Sequence, residues 1–274
     1  MNNLDADRIR EPIGTRVRPH LESLEVFAEI DSTNSYLISQ APPPAGRFRV
    51  ALAEYQTAGR GRMGRRWESP PSSGICLSMS YTFRRPYEHL SCLTLAIGVG
   101  LAELLEDIGV RGVGLKWPND LIMRNAKLGG ILTELRSVSS ANPTVIVGLG
   151  LNVDLSGAPP GNAPTSAFGP VIDLASCSDS LPPRGVLSVK LIERLFDTLA
   201  EFDEGGFARF HAAWPAYDWL RGQRVCVEAP ERVETGVCQG IDTDGALMLL
   251  TAGGLKRITS GSIQLNGQGG CKAS

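Results

Sequence analysis

The sequence predicts an α+β fold: a sheet flanked by helices, followed by a small all-β domain at the C-terminal end. Three observations support this prediction. Apolar residues recur at helical spacing over residues 88–108 and again over residues 186–204. Residues 48–56 form a short apolar run that is typical of a buried strand. From residue 221 onward, short apolar runs alternate with turns, and their length and number favour a small barrel of the SH3 type.

The elements of the larger domain follow from local patterns in the chain. Residues 1–22 are polar, contain Pro12 and Pro19, and are predicted to be a flexible N-terminal arm. Strands are predicted at residues 24–30, 48–56 and 75–83. An antiparallel meander of three strands is predicted over residues 112–137 and 144–153, with turns at residues 124–126 and 137–143. A short helix is predicted at residues 206–213.

The small domain is predicted from five short strands that two glycine turns help to separate. These turns are Asp244-Gly245 and Gly253-Gly254. The predicted organisation is a flexible arm at residues 1–22, a larger domain at 23–219, an SH3-like β-barrel domain at 220–266 and a disordered tail at 267–274.

Composition and charge exclude several classes of protein. The chain is 42% hydrophobic and 20% charged with a net charge of −2, which argues against a general nucleic-acid binder. It contains no apolar run of about 18 residues, so no transmembrane helix and no membrane partner are expected. The six cysteines form no C-x-x-C pair and are expected to be mostly buried thiols of a reducing compartment. Together with the absence of a signal peptide, this predicts a cytoplasmic protein.

Residues 57–67, TAGRGRMGRRW, contain a formal G-x-G-x-x-G together with four arginines. A dinucleotide-binding loop needs a helix directly after its glycines, and Pro70-Pro71 prevents one here. Arginine matches phosphate oxygens bidentately, and glycines keep such a loop mobile. This arginine loop is therefore predicted either to close over a phosphate-containing ligand or to lie in solvent as a basic loop that touches RNA or an acidic partner.

A second group of residues favours the phosphate ligand. Lys127 begins an apolar strand, KLGGIL, where a lysine can neutralise a carboxylate and the phosphate that it attacks. Asn119 and Asp120 supply an amide and a carboxylate suited to a nucleotide or Mg²⁺, although a plain turn is the alternative. Gly129-Gly130 lack side-chain bulk, so a ligand or another strand can pass close by.

Together these residues resemble the biotin protein ligase family, of the BirA-like biotin–acetyl-CoA-carboxylase ligase type. The matching motifs occur in the family's order: DSTN (31–34), EYQTAGRGRMGRRW (54–67), KWPND (116–120), KLGGIL (127–132) and GLGLNV (148–153). The resemblance implies a mixed β-sheet catalytic domain with the small β-domain behind it. It also implies that biotin is activated with MgATP to biotinyl-5′-AMP. Biotin is then transferred to a lysine of a biotin carboxyl carrier protein of acetyl-CoA carboxylase or a related carboxylase.

The resemblance also implies roles for individual residues. Lys127 and Arg62 are the implied catalytic residues. Biotin is expected to contact Ser32, Thr33, Asn34, Gln56, Arg60, Gly61, Arg62, Lys127 and Gly129. The nucleotide is expected to contact Arg60, Arg62, Arg65, Trp67, Asn119, Asn152 and Lys127. Asp120 is the implied ligand of Mg²⁺, which enters with ATP.

One departure from the family and two rival functions complete these expectations. Many bacterial members carry an N-terminal DNA-binding domain, whereas only residues 1–22 precede the first predicted strand. No DNA partner is therefore expected, and a monomer or weak homodimer is predicted. The first rival is a lipoate or octanoate ligase or transferase of the related fold. The second is a non-catalytic RNA-binding module that uses the arginine loop, which the net charge of −2 disfavours.

Overall fold

The structure is a computed structural model that describes residues 4–84, 86, 90, 92–137, 142–157, 166, 169–229 and 232–265. It confirms the predicted α+β class. A seven-stranded mixed sheet forms the larger domain, and a five-stranded antiparallel sheet follows it. Within the described residues, no helix is long and apolar enough to cross a membrane.

The large sheet has strand order β1-β2-β3-β7-β6-β5-β4. Its strands are β1 (Leu21–Phe27), β2 (Phe48–Ala53), β3 (Gly74–Thr82), β4 (Gly114–Lys116), β5 (Asp120–Met123), β6 (Ala126–Ser137) and β7 (Thr144–Asn152). Strands β1 and β2 are parallel, and every other neighbouring pair is antiparallel. The single parallel pair is what makes the sheet mixed, because the connection between β1 and β2 crosses over through a helix.

Helices cover both faces of this sheet. They are α1 (Ala6–Arg10), α2 (Thr33–Ser39), α3 (Leu93–Asp107), α4 (Arg184–Gly205) and α5 (Ala208–Ala213). Helices α3 and α4 pack on the face that carries the main hydrophobic core. Helix α2 lies on the other face, where Leu37 forms a small separate cluster with Ala51 and Ile146. The second face is therefore only partly covered by apolar packing, and that leaves room for polar side chains.

The N-terminal segment is packed rather than flexible, so this part of the predicted arm is wrong. Asp5 caps α1 by accepting a hydrogen bond from the backbone N–H of Arg8 at 2.9 Å. Ile9, Ile13 and Val17 are at most 2% exposed. All three belong to the main core, although only Ile9 lies in α1 and the other two follow in a bend and a turn. The prolines and charges around them had hidden this apolar stripe.

The structure forms four strands, β4 to β7, where the sequence predicted a meander of three. The first predicted strand is interrupted at Trp117-Pro118, which is joined by a cis peptide bond and separates β4 from β5. The predicted turn at residues 124–126 is confirmed at Arg124 and Asn125, whose φ angles of 48° and 60° fit a tight hairpin turn. Part of the other predicted turn, residues 138–141, lies outside the described residues.

The small domain contains β8 (Arg224–Ala229), β9 (Arg232–Ile241), β10 (Leu247–Thr251), β11 (Gly254–Ile258) and β12 (Ser262–Leu265). Their order is β11-β10-β9-β8-β12, so among the described residues β11 and β12 remain the outer strands and the hydrogen bonding does not close into a complete barrel. The predicted tail at residues 267–274 lies outside the described residues, and the boundary at residues 219/220 stays a prediction.

The described cysteines largely follow the expectation of reduced thiols. Cys76, Cys92, Cys177 and Cys238 carry reduced thiols, and all but Cys177 are buried. Cys226 is disulfide-bonded, which corrects the expectation for that residue.

Candidate active site

One cavity, on the face of the large sheet that also carries α2, brings the predicted site residues together. Its lining includes Ser32, Thr33, Asn34, Gln56, Arg60, Gly61, Arg62, Arg65, Trp67, Asn119, Asp120, Lys127 and Asn152. Residues 261–263 of the small domain contribute to the same cavity. Of all the predicted site residues, only Gly129 lies outside this lining.

Glycines of neighbouring strands form the floor of the cavity. Gly150 of β7 pairs with Gly130 of β6 on one side and with Cys76 of β3 on the other. A Cβ atom on Gly150 would lie 2.2 Å from the ring of Trp67, and one on Gly148 would lie 2.3 Å from Oδ1 of Asn34. Trp67 and Asn34 therefore rest directly on the strand backbone, because no side chain separates them from it.

Gly129 faces the opposite side of the sheet, so the structure does not bring this predicted biotin contact into the cavity lining. A Cβ atom on Gly129 would meet the side chains of Leu121 and Leu151 at 3.1 and 3.3 Å, on the side of the main core. Successive residues of a strand point to opposite faces, and it is Gly130 that lines the cavity. Simple strand alternation would place Lys127 on the same face as Gly129. A register shift between β5 and β6 interrupts this alternation, and Lys127 lies on the cavity side instead.

A polar cluster occupies the end of the cavity at α2. Ser32 is the N-cap of α2 and places Thr33 and Asn34 in the first turn of the helix. Both the N–H and the hydroxyl of Thr33 donate to Oε1 of Gln56, at 2.9 and 3.0 Å. The hydroxyl oxygen of Ser78 lies 2.7 Å from that of Thr33 and 2.5 Å from Oδ1 of Asn34. These residues form a fixed array of donors and acceptors suited to a polar, uncharged group.

The arginine loop is a tight hairpin that covers the cavity. Met63 and Gly64 both have positive φ, 56° and 71°, and the N–H of Arg65 donates to the carbonyl of Arg62 at 3.2 Å, as in a type I′ turn. Each of three arginines donates to a different element: Arg60 to Glu134 of β6 at 2.6 Å, Arg62 to Asn119 at 3.2 Å, and Arg65 to Ser262 of β12 at 2.8 Å. The loop is thus held between the two domains.

Two lysines and one carboxylate form the charged centre of the site. Asp120 lies 2.7 Å from Nζ of Lys127 and 3.4 Å from Nζ of Lys116. Burial acts to raise the pKa of Asp120, but the attraction of Lys127 and Lys116 outweighs it and holds that pKa below its ordinary value. Burial lowers the pKa of Lys116 and that of Arg62, although Asp120 acts to raise both. The centre is net positive and suits an anionic ligand.

These residues do not fit a metal centre built by the protein itself. Both oxygens of Asp120 already accept from lysines, and the described part of the chain holds no group of three or more His, Cys, Asp or Glu side chains placed to bind a metal. Mg²⁺ usually keeps several waters and is held by one or two carboxylates together with substrate phosphates. A magnesium ion would therefore have to arrive with a phosphate ligand.

The ion pairs of Asp120 lead to a prediction for stability. Because the folded-state pKa of Asp120 lies below 3.8, its contribution is present above about pH 4 and is lost as the pH falls through that folded pKa. We expect Asp120→Asn to lower the free energy of unfolding by about 3 kcal/mol at pH 7, since it removes the charge from one partner of two largely buried ion pairs. Urea unfolding between pH 7 and pH 3 should show the difference from wild type shrinking on acidification.

The matched control is Asp197→Asn, which breaks the more exposed pair with Arg16, whose side chains are 34% and 67% exposed. We expect that change to cost less than about 1 kcal/mol. If both variants lose the same free energy of unfolding at pH 7, Asp120 contributes no more to stability than a surface ion pair does.

The far end of the cavity offers an unsatisfied acceptor. Asn152 is 1% exposed, and its amide nitrogen donates to the carbonyl of Ile172 at 3.1 Å. Among the residues that the structure describes, its buried Oδ1 has no hydrogen-bond partner. A buried acceptor of this kind costs free energy unless a ligand or water donates to it. Asn152 can therefore accept a hydrogen bond from the amino group of a base placed near Trp67.

The cavity contains no activated nucleophile among its described residues. Cys76 pairs with Gly150 of the cavity floor, and burial raises the pKa of its thiol to about 11. The thiol is therefore protonated at neutral pH and unreactive. The chemistry that this arrangement supports is the stabilisation of anionic groups and the positioning of bound reactants.

Comparisons with known protein families identify two matching segments. Residues 26–152 match the biotin/lipoate A/B protein ligase family. Residues 221–266 match the C-terminal domain of biotin protein ligases. The first segment contains the arginine loop and the charged centre, and the second contains the strand that bonds to Arg65.

Named relatives and solved structures agree with these matches. The chain is 33% identical to the bifunctional ligase/repressor BirA of Salmonella typhimurium over 265 residues, covering 96% of this chain and 78% of that protein. It is 31% identical to the biotin–acetyl-CoA-carboxylase ligase of Mycobacterium tuberculosis over 273 residues, covering 94% and 98%. The fold is similar to that of biotin protein ligase from Aquifex aeolicus in complex with biotin and ATP. That comparison has a TM-score of 0.73 and 29% identity, and covers 89% of this chain and 99% of that one.

Proposed function

The chain belongs to the biotin/lipoate A/B protein ligase family, and we propose that within it the chain is a biotin–protein ligase that uses ATP. In the first half-reaction a carboxylate oxygen of biotin attacks the α-phosphorus of ATP, giving biotinyl-5′-AMP and pyrophosphate. In the second, the amine of a carrier lysine attacks the acyl carbon, the amide bond forms, the amine loses its proton and AMP leaves.

The observation that carries this proposal is the position of the positive centre within the cavity. Lys127 lines the same cavity as the polar cluster at α2, and its Nζ lies 5.6 Å from the ring centroid of Trp67. An acyl group with a polar head at α2 would thus bring its carboxylate towards Lys127, and a nucleotide base beside Trp67 would bring its α-phosphate to the same point. Two anions that must react repel one another, and a fixed cation between them lowers that barrier.

The remaining roles follow the same arrangement. We assign Ser32, Thr33, Asn34 and Gln56 to the polar ring system of biotin. Arg60, Gly61, Arg62 and Arg65 are assigned to the cover over the acyl-adenylate, and Trp67, Asn119 and Asn152 to the nucleotide. Mg²⁺ enters as part of the MgATP substrate.

The proposed acceptor is a biotin carboxyl carrier protein of acetyl-CoA carboxylase or a related carboxylase, because two relatives are biotin–acetyl-CoA-carboxylase ligases. A monomer or weak homodimer is the expected state of the enzyme.

ATP–pyrophosphate exchange tests the proposal. We expect exchange with biotin and little with lipoate or octanoate, because the C-terminal segment matches the domain of biotin protein ligases. Exchange with lipoate alone would assign the chain to the lipoate branch, and absence of exchange with all three acids would refute acyl-adenylate formation. Addition of a biotin carboxyl carrier domain should then consume the adenylate and label one lysine of the carrier.

Arg62 gives a prediction about retention of the intermediate. Its guanidinium is largely buried and donates to Asn119, so it closes the loop over the region assigned to the adenylate. We expect Arg62→Ala to release biotinyl-5′-AMP at least about tenfold faster, which corresponds to about 1.4 kcal/mol. The measurement is biotinylation of bystander proteins. A variant that labels bystanders no faster than wild type would show that Arg62 does not retain the intermediate.

A further inference from the structure

Glu134 carries a pair of contacts that the proposed function leaves unused. We propose that Glu134 is a positioning residue: its carboxylate joins Arg60 of the arginine loop to Asn34 at the α2 end of the cavity, so that closure of the loop and orientation of the Asn34 amide are coupled. This inference rests on the proposed function, since it assigns Glu134 a task in holding the biotin end of the acyl-adenylate.

The two oxygens of Glu134 have different partners. NH2 of Arg60 donates to Oε1 at 2.6 Å, and Nδ2 of Asn34 donates to Oε2 at 2.8 Å. Glu134 stands in β6 opposite Ile146 of β7, two residues beyond Leu132, which lines the cavity. Strand alternation therefore puts the carboxylate on the cavity face, within reach of both the loop and α2.

Glu134 fixes which end of the Asn34 amide faces which neighbour. A carboxylate can only accept, so it selects the NH₂ group of Asn34. That choice turns Oδ1 of Asn34 towards the hydroxyl of Ser78, 2.5 Å away. Asn34 is 4% exposed, and the missing side chain of Gly148 leaves just enough space for its amide. With Glu134 in place, the hydrogen-bond pattern that Asn34 presents to a ligand is set in advance.

The coupling between the arginine loop and Asn34 depends on the hydrogen bond that Asn34 donates to Glu134. An ion pair between exposed side chains contributes little alone, and Arg60 is 43% exposed. Because the same carboxylate also holds a buried asparagine, the loop is attached to the rigid part of the site. Each partner donates to its own oxygen of Glu134, and a glutamine at this position would place an NH₂ group in front of one of the two donors.

The chain offers a closely matched control. Glu22 pairs with Arg47 at 2.6 Å, with side-chain exposures of 22% and 44%, against 20% and 43% for Glu134 and Arg60. Full-length Glu134→Gln and Glu22→Gln would be loaded with biotin and ATP. The escape of biotinyl-5′-AMP and the KM for biotin would then be measured. We expect Glu134→Gln to release the intermediate roughly three to ten times faster and to raise the KM for biotin, while Glu22→Gln matches wild type.

A double-mutant cycle separates coupling from general loosening of the fold. Arg60→Met breaks the same contact from the loop side, so adding Glu134→Gln to it should cause little further acceleration. The inference is overturned if biotinyl-5′-AMP escapes from Glu134→Gln at the same rate as from Glu22→Gln. It is also overturned if the effects of Glu134→Gln and Arg60→Met are fully additive. Wild-type protein that makes no adenylate would refute the proposed function and this inference with it. Wild-type protein that makes and holds adenylate while Glu134→Gln holds it equally well would refute the inference alone.

Discussion

Lys127→Ala should lower the rate of biotinyl-5′-AMP formation by about two to three orders of magnitude while the protein stays folded. The reason is electrostatic. In the proposed reaction Lys127 is the cation at the point where the carboxylate and the α-phosphate meet, and its removal leaves that repulsion unbalanced. Single-turnover formation of the adenylate at saturating biotin and ATP measures the effect.

The control for this change is Lys190→Ala on the exposed side of α4, which removes the same charge far from the cavity. It should leave adenylate formation unchanged. Asp120 keeps one lysine partner in Lys127→Ala, so the thermal midpoint should fall only modestly. Adenylate formation within threefold of wild type in folded Lys127→Ala would remove Lys127 from the mechanism.

Gly150→Ala should raise the KM for ATP by an order of magnitude or more, because one methyl group displaces the tryptophan assigned to the base. The added Cβ atom would lie 2.2 Å from Cε2 and 2.5 Å from Cζ2 of Trp67, distances that force the ring off the strand. Overpacking of this kind costs about 1–3 kcal/mol. Steady-state kinetics with ATP varied at saturating biotin checks this expectation.

Two further variants test the cause of that effect. Gly185→Ala adds the same methyl group where no atom lies within 4 Å, so it should behave like wild type. Combined with Trp67→Ala, the Gly150→Ala change should add little, because the ring that it displaces is already gone. An unchanged KM for ATP in Gly150→Ala would mean that contact of Trp67 with the strand is irrelevant to nucleotide binding.

Much of the site could be predicted because its motifs are local. The arginine loop, Lys127 and the residues at the start of α2 each lie in short segments whose composition already indicates anion binding or helix capping. The position of Gly129 could not be predicted, because it depends on strand register. Gly129 and Gly130 are neighbours in the chain, and only the register shift between β5 and β6 decides which of the glycines shares a face with Lys127.

Residues that act across the fold left no signal in the sequence. Glu134 is a charged residue in an alternating strand and was indistinguishable from a solvent-facing one until β6, α2 and the loop were placed together. Ser262 belongs to the small domain, and nothing near it indicates that it bonds to Arg65. The packed segment at Ile9, Ile13 and Val17 was missed because three apolar residues among charges and prolines give too weak a periodicity.

The contribution of the small domain to the cavity has a consequence for the order of events during synthesis. The lining begins at Ser32 and is finished only by Gly261, Ser262 and Ile263. A nascent chain released from the ribosome up to the end of the large sheet would carry Lys127 and Trp67 but would lack the strand that holds Arg65. The pocket for biotin and ATP is therefore incomplete during the early stages of folding. We therefore expect biotin and ATP to stabilise the protein most strongly once both domains have formed, because only then is the lining complete.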